Sequence, residues 1–125
     1  MNLFGIIAAE LRDLGLNYDF MEWNQKVVQY PYWVGEPSGS PITTEDGYEE
    51  TTMILTGTAN TSYAELERAR KKIQKRFHPI SGLHASTDDG AVAIYYNNGF
   101  MVPTGEANLK RMQINLQCKE WRNIQ

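Results

Sequence analysis

The sequence predicts a two-layer α+β fold: a mixed, mostly antiparallel β-sheet with two α-helices on one of its faces. Three observations predict it. Two segments carry apolar residues at helical spacing, and strand-like segments separate and follow them. The closing stretch KRMQINLQCKEW alternates strictly, with Met112, Ile114, Leu116 and Cys118 on one parity and Arg111, Gln113, Asn115, Gln117 and Lys119 on the other. Such a strand has one buried and one wet face, so helices are expected on a single side of its sheet.

The elements follow in order. Leu3, Ile7, Leu11 and Leu14, with Ile6 beside them, predict a helix over 3–14, stopped by Gly15. YDFMEW reads as the first strand and KVVQYPYWVGE as the second. Pro31 argues that the second is an edge or bulged strand, because proline cannot donate to the ladder. PSGSPITTEDG is a loop by composition. YEETTMILTG reads as the third strand, ending at Gly57. In SYAELERARKKIQKRF, Ser62 and Glu65 have the spacing of a capping box. Tyr63, Leu66, Ala69, Ile73 and Phe77 form one apolar stripe, and Pro79 prevents continuation. GAVAIYYNNGFMVPT reads as a hairpin turning at Asn98-Gly99, and the alternating stretch is the last strand. The 125 residues suit one domain over 1–125, with a flexible loop at about 36–47 and no internal repeat.

Composition excludes several functions. Twelve Lys and Arg against 15 Asp and Glu leave a net charge of -3, which does not favour direct nucleic-acid binding. A single cysteine excludes an internal disulfide framework and fits a reducing compartment. No apolar run approaches the ~20 residues that span a bilayer, so no membrane partner is expected. The start MNLFGIIAAELRDLG lacks the basic segment of a signal peptide, which points to folding in a cytoplasm.

Catalytic material is sparse. Cys118 has the parity of Ile114 and Leu116 and reads as a small core residue. One Cys and two His cannot fill a closed zinc site. His78 ends the second helix, where a cation suits the dipole, and His84 lies in the loop after it. TDDG, at 87–90, is a turn composition before it is a metal site. GEPSGS lacks the Lys-Ser/Thr pair of a phosphate loop. Glu49 and Glu50, adjacent on a strand, point to opposite faces. No catalytic residue, cofactor or metal is therefore expected.

Two features remain as candidate interfaces. Arg68, Arg70, Lys71, Lys72, Lys75 and Arg76 hold half of all Lys and Arg, opposite the Leu66-Ile73 stripe. They form a solvated face with Glu67 paired to Lys71, or a face for an acidic protein or nucleic acid. In YPYWVGE, Tyr30, Tyr32 and Val34 share one strand face and Pro31, Trp33 and Gly35 the other. If the first set is core, Trp33 lies on the polar side, covered by the following loop or by another chain. The interface candidates are Tyr32, Trp33, Glu36, Ile42, Arg70, Lys71 and Lys75.

The fragments YPYWVGE, TEDGYEETTMILTGT, ELERARKKIQKRF and LKRMQINLQCKEW, in this order, resemble the small tail-terminator and neck proteins of long-tailed phages and prophages, some of them called minor capsid proteins. The resemblance runs from about Val27 to Trp121 and rests on element order and short fragments, with no catalytic signature. It implies a small α/β domain with a mixed sheet and two helices, and a structural protein rather than an enzyme. It implies a ring, typically a hexamer, at the head-proximal end of the tail tube. The implied partners are further copies of the chain, the tail-tube protein and the head-tail connector protein. The implied location is the host bacterial cytoplasm during assembly and the virion neck afterwards. A neighbouring head-completion or minor capsid role fits the same resemblance.

Overall fold

Helix α1 (Leu3–Asp13) opens the chain, with the Asn2 side chain accepting a hydrogen bond from the Gly5 N–H at 2.9 Å. It buries Leu3, Ile6, Ile7 and Leu11, and Gly15 ends it with φ +84, a backbone region that favours glycine. The computed structural model describes residues 1–23, 28–39, 42–43 and 47–122. Strands β1 (Asn17–Phe20), β2 (Tyr32–Pro37), β3 (Ile42–Thr43) and β4 (Glu49–Ala59) precede helix α2 (Tyr63–Arg76). Strands β5 (Leu83–Thr87), β6 (Gly90–Val102) and β7 (Lys110–Arg122) follow it. The strand order is β1-β2-β4-β7-β6-β5, with β3 paired to β4. Among the described residues, only the β1/β2 pair is parallel.

The expected class is therefore the observed one, an α+β fold with both helices packed on one face of a mostly antiparallel sheet. The alternating strand β7 lies at its centre. Met112, Ile114, Leu116 and Cys118 are all buried, in one core with α1, α2 and the inward residues of β4 and β6. Arg76 of α2 joins Glu10 of α1, and reaches Asp13 at 3.2 Å, tying the two helices together.

Five local expectations need correction. The second strand is neither at an edge nor bulged: β2 lies between β1 and β4 in unbroken register, and Pro31 precedes it. Asn98-Gly99 is not a turn, because β6 runs through it as one strand. The register shifts between Tyr96 and Asn98, where Asn97 is the extra residue of a bulge. Gly99 serves close approach instead: a Cβ there would lie 2.8 Å from the Tyr96 hydroxyl. The turn that matters is Asp88-Asp89, which joins β6 to β5, a strand read beforehand as loop around His84. Gly57 does not end the third strand, which continues to Ala59. Ser62 is the N-cap of α2 in an extended conformation, but its side chain makes no capping hydrogen bond.

The loop expected at 36–47 is interrupted by structure. Glu36 and Pro37 belong to β2, and Ile42–Thr43 pair with Glu49–Glu50, so β3 continues the antiparallel partnership of β2 along β4. Residues 40–41 and 44–46 of that loop, and 24–27 at the expected start of the second strand, lie outside the described residues.

Candidate functional site

The helices cover one face of the sheet and leave the other open. Strand parity decides what lies there. Tyr32, Val34 and Glu36 of β2 register with Thr58, Thr56 and Ile54 of β4, which in turn oppose Arg111, Gln113 and Asn115 of β7. Further along, Thr52 opposes Gln117 and its hydroxyl donates to Gln117 Oε1 at 3.2 Å. The Asn115 amide donates to Asn98 Oδ1 at 2.8 Å. This face is a lattice of amide, hydroxyl and aromatic groups.

Its most structured corner lies over β6 and β7. The Lys119 ammonium sits 5.3 Å from the centre of the Tyr48 ring and 5.5 Å from that of Tyr95, while His84 meets Tyr95 edge-on at 6.2 Å. Beside it an open cleft of about 390 Å³ is lined by Pro79, Ile80, Tyr95, Tyr96, Asn97, Gln117 and Lys119. Ile80 stands at its rim almost fully exposed. None of these was among the interface candidates read from the sequence. The available signal was Tyr95 on the parity of Lys119, which only the pairing of β6 with β7 makes meaningful.

The interface candidates do not gather into one site. Trp33 is the chief correction: it is completely buried, on the core face, so neither the following loop nor another chain covers it. Tyr32 therefore lies on the open face, in contact with Trp23 (5.0 Å between ring centres) and Tyr30 (5.6 Å). Glu36 is exposed on the same face. Ile42 lies in β3 opposite Glu50, and its side chain is outside the described part. Lys71 and Lys75 are exposed on α2, on the opposite layer of the molecule.

Arg70 is engaged within the protomer. Its guanidinium donates to both carboxylate oxygens of Glu67, at 3.0 and 2.8 Å, to Gln74 Oε1 at 2.8 Å and to the Tyr96 hydroxyl at 3.4 Å. The expected Glu67–Lys71 pair is thus replaced by Glu67–Arg70. The Arg70 hydrogen bonds hold the Glu67 carboxyl below its usual range.

A second charged cluster lies where β4, β6 and β7 meet. Arg122 reaches Glu49 at 3.2 Å, Asp89 at 3.7 Å and Glu120 at 3.8 Å, so three carboxylates share one guanidinium. Burial pushes the Glu120 carboxyl above its ordinary range. Arg122 opposes that shift, and the Glu49 and Asp89 charges add to it.

The two histidines are bonded locally and the cysteine is enclosed. His78 Nδ1 accepts from the Ile80 and Ser81 N–H groups at 3.1 and 3.2 Å, and His84 Nε2 lies 2.7 Å from the Ser81 carbonyl. Among the described residues no group of His, Cys, Asp and Glu is placed to hold a metal ion. Among them, too, no helix is long and apolar enough to cross a membrane. Comparison with models of known protein families finds no match for this chain, and comparison with curated protein sequences finds none either.

Cys118 is fully buried, and burial pushes its thiol from an ordinary 9.0 up to about 12. The native protein should therefore resist thiol reagents at neutral pH and label stoichiometrically only after denaturation. Between pH 9.0 and about 12 the unfolded chain loses this proton first. This group's contribution to stability is thus complete below pH 9.0 and falls as pH rises through that window. Thermal melts of wild type and Cys118→Ala compared across that window check the sign: the wild type should lose more stability with rising pH. Fast labelling of the native thiol would refute its enclosure.

Proposed function

We propose that this chain is a structural protein of the tail-terminator and neck type, forming a ring of six copies at the head-proximal end of a phage or prophage tail tube. The ring ends tube growth and presents the surface that joins the head. The observation that carries this reading is the resemblance running from about Val27 to Trp121. The element order it implies, a mixed sheet with two helices in one small domain, agrees with the fold described above. The uncovered sheet face supports it further. That face places Tyr32, Glu36, Ile54, Gln113 and Phe100 side by side, a surface suited to neighbours of the same size.

On this reading the protein acts by assembly and has no catalytic centre, a view supported by the enclosure of Cys118 and the local bonding of His78 and His84. Its partners are further copies of itself, the tail-tube protein and the head-tail connector protein. It works in the host bacterial cytoplasm during assembly and in the virion neck afterwards. A second reading, a small module that binds an acidic partner, is favoured by the exposed Lys71 and Lys75 on α2.

Electron microscopy and native mass measurement with the tail-tube protein present test the ring. The expected result is closed rings capping tubes of finite length. Tubes left uncapped, with the protein still monomeric beside them, would refute the terminator role. The free protein need not assemble when dilute, because several weak contacts closing together act at high effective concentration.

A further inference from the structure

Resting on the ring reading above, we propose that copies of this chain meet head to tail through charge. The cationic ridge of α2 on one copy docks on the carboxylate-rich sheet end around Arg122 on the next. Charge is segregated in this molecule. Helix α2 carries six cations and two anions, while the rest of the chain carries six cations and thirteen anions. Two of the six, Arg70 and Arg76, are spent within the protomer on Glu67, Glu10 and Asp13.

The other four, Arg68, Lys71, Lys72 and Lys75, are all exposed, and none has an ion pair among the described residues. Their spacing of i, i+3, i+4 and i+7 puts them on one face of the helix. Arg68 with Lys72, and Lys71 with Lys75, are like-charge neighbours at i,i+4, an arrangement that costs a helix stability. An anionic surface laid along the ridge relieves that repulsion.

The rest of the same chain supplies such a surface. At the end of the sheet, Glu49, Asp89 and Glu120 share the single Arg122, and the exposed Asp88 beside them pairs with the Met1 ammonium at 2.6 Å, so four carboxylates face two cations and carboxylate is in excess. A net charge of -3 weighs against a polyanion such as nucleic acid as the ridge's occupant, since long-range repulsion from the rest of the molecule opposes it. A second copy avoids this, because its own ridge is turned away. Ridge against ridge would repel, so the contact joins two different surfaces. A heterologous contact repeated by rotation closes into a ring or grows into a filament.

The test uses two double variants of the full chain. Lys72→Glu/Lys75→Glu reverses the ridge, and Glu49→Lys/Asp89→Lys reverses the sheet end. Circular dichroism and melting first establish that each is folded. Association is then read by sedimentation and native mass over a concentration series, alone and with the tail-tube protein, at low and high salt. Wild-type assembly is expected to weaken as salt rises. Each double variant alone is expected to associate at least about tenfold more weakly. An equimolar mixture of the two is expected to recover assembly, with the variants alternating. Wild-type rings indifferent to salt and to both reversals would overturn the charge contact and leave the ring reading standing. A wild type that never assembles, with or without the tube protein, would overturn both.

Discussion

Trp33→Ala is expected to lower the stability of the isolated protomer by about 3–5 kcal/mol. A domain of this size has about 5–15 kcal/mol in total, so the variant should be near the edge of folding. The reason is geometric. Trp33 is completely buried and lies directly opposite Gly57 in the β2/β4 ladder. Gly57 has no side chain, and the indole fills the space a side chain would take: a Cβ at Gly57 would come 2.7 Å from Trp33 Cη2 and Cζ2. Gly57→Ala alone should therefore cost about 1–3 kcal/mol by overpacking, because a buried ring has nowhere to go. The double variant should be less destabilised than the sum of the two, since the new methyl group then meets an emptied space. Urea or thermal unfolding of the four proteins measures the coupling. Full stability of Trp33→Ala with a selective loss of assembly would instead restore the tryptophan to an interface.

Leu116→Asp should be more damaging still, with a loss exceeding about 4 kcal/mol and little or no folded protein recovered. Leu116 is completely buried at the centre of β7, between Met53 of β4 and Tyr96 of β6. A carboxylate there has neither water nor a cation. Gln113→Glu, three residues earlier on the same strand, introduces the same charge on the open face beside Thr56 and Phe100 and should melt close to wild type. Circular dichroism and expression yield of the two variants make the comparison. Equal damage at both positions would mean that the two faces of β7 are not separated as described.

Much of this fold was legible because its signals are local. The apolar repeat of Leu3, Ile7 and Leu11 specifies α1 whatever surrounds it, and Leu66, Ala69 and Ile73 do the same for α2. Strand β7 is buried on one face only, and the alternation from Arg111 to Lys119 states as much; its place at the centre of the sheet comes from its pairing with β4 and β6. The failures lie where a local signal has two meanings. Asn98-Gly99 is a turn dipeptide, yet also tolerable beside a bulge where backbone and the Tyr96 ring crowd together. The stretch around His84 reads as loop in the sequence, and only its pairing with β6 across the two-residue turn at Asp88-Asp89 makes it a strand.

The candidate site was less legible than the fold. Alternation in YPYWVGE separates Tyr32 from Trp33, but no alternation says which of two apolar parities faces inward. From the sequence, Tyr30, Tyr32 and Val34 stand as the inward set only as a condition. What decided it is that Gly35 and Gly57 leave room on the other side, where Tyr18 lies against Gly35 and Trp33 against Gly57. Likewise six basic residues on one helix look alike in the sequence. Only packing separates Arg70 and Arg76, held by Glu67, Glu10 and Asp13, from the four that face solvent.

By itself, then, the sequence determined the class of this protein, its two helices, its alternating last strand and the inward parity of Cys118. Each of these follows from periodicity and polarity within a dozen residues. Tertiary structure alone decided the burial of Trp33, the open face running from Tyr32 to Tyr95, and which cations remain free. These depend on which strand lies beside which, and on where a missing Cβ leaves space. Such properties belong to residue pairs distant in the chain, and a local pattern does not contain them.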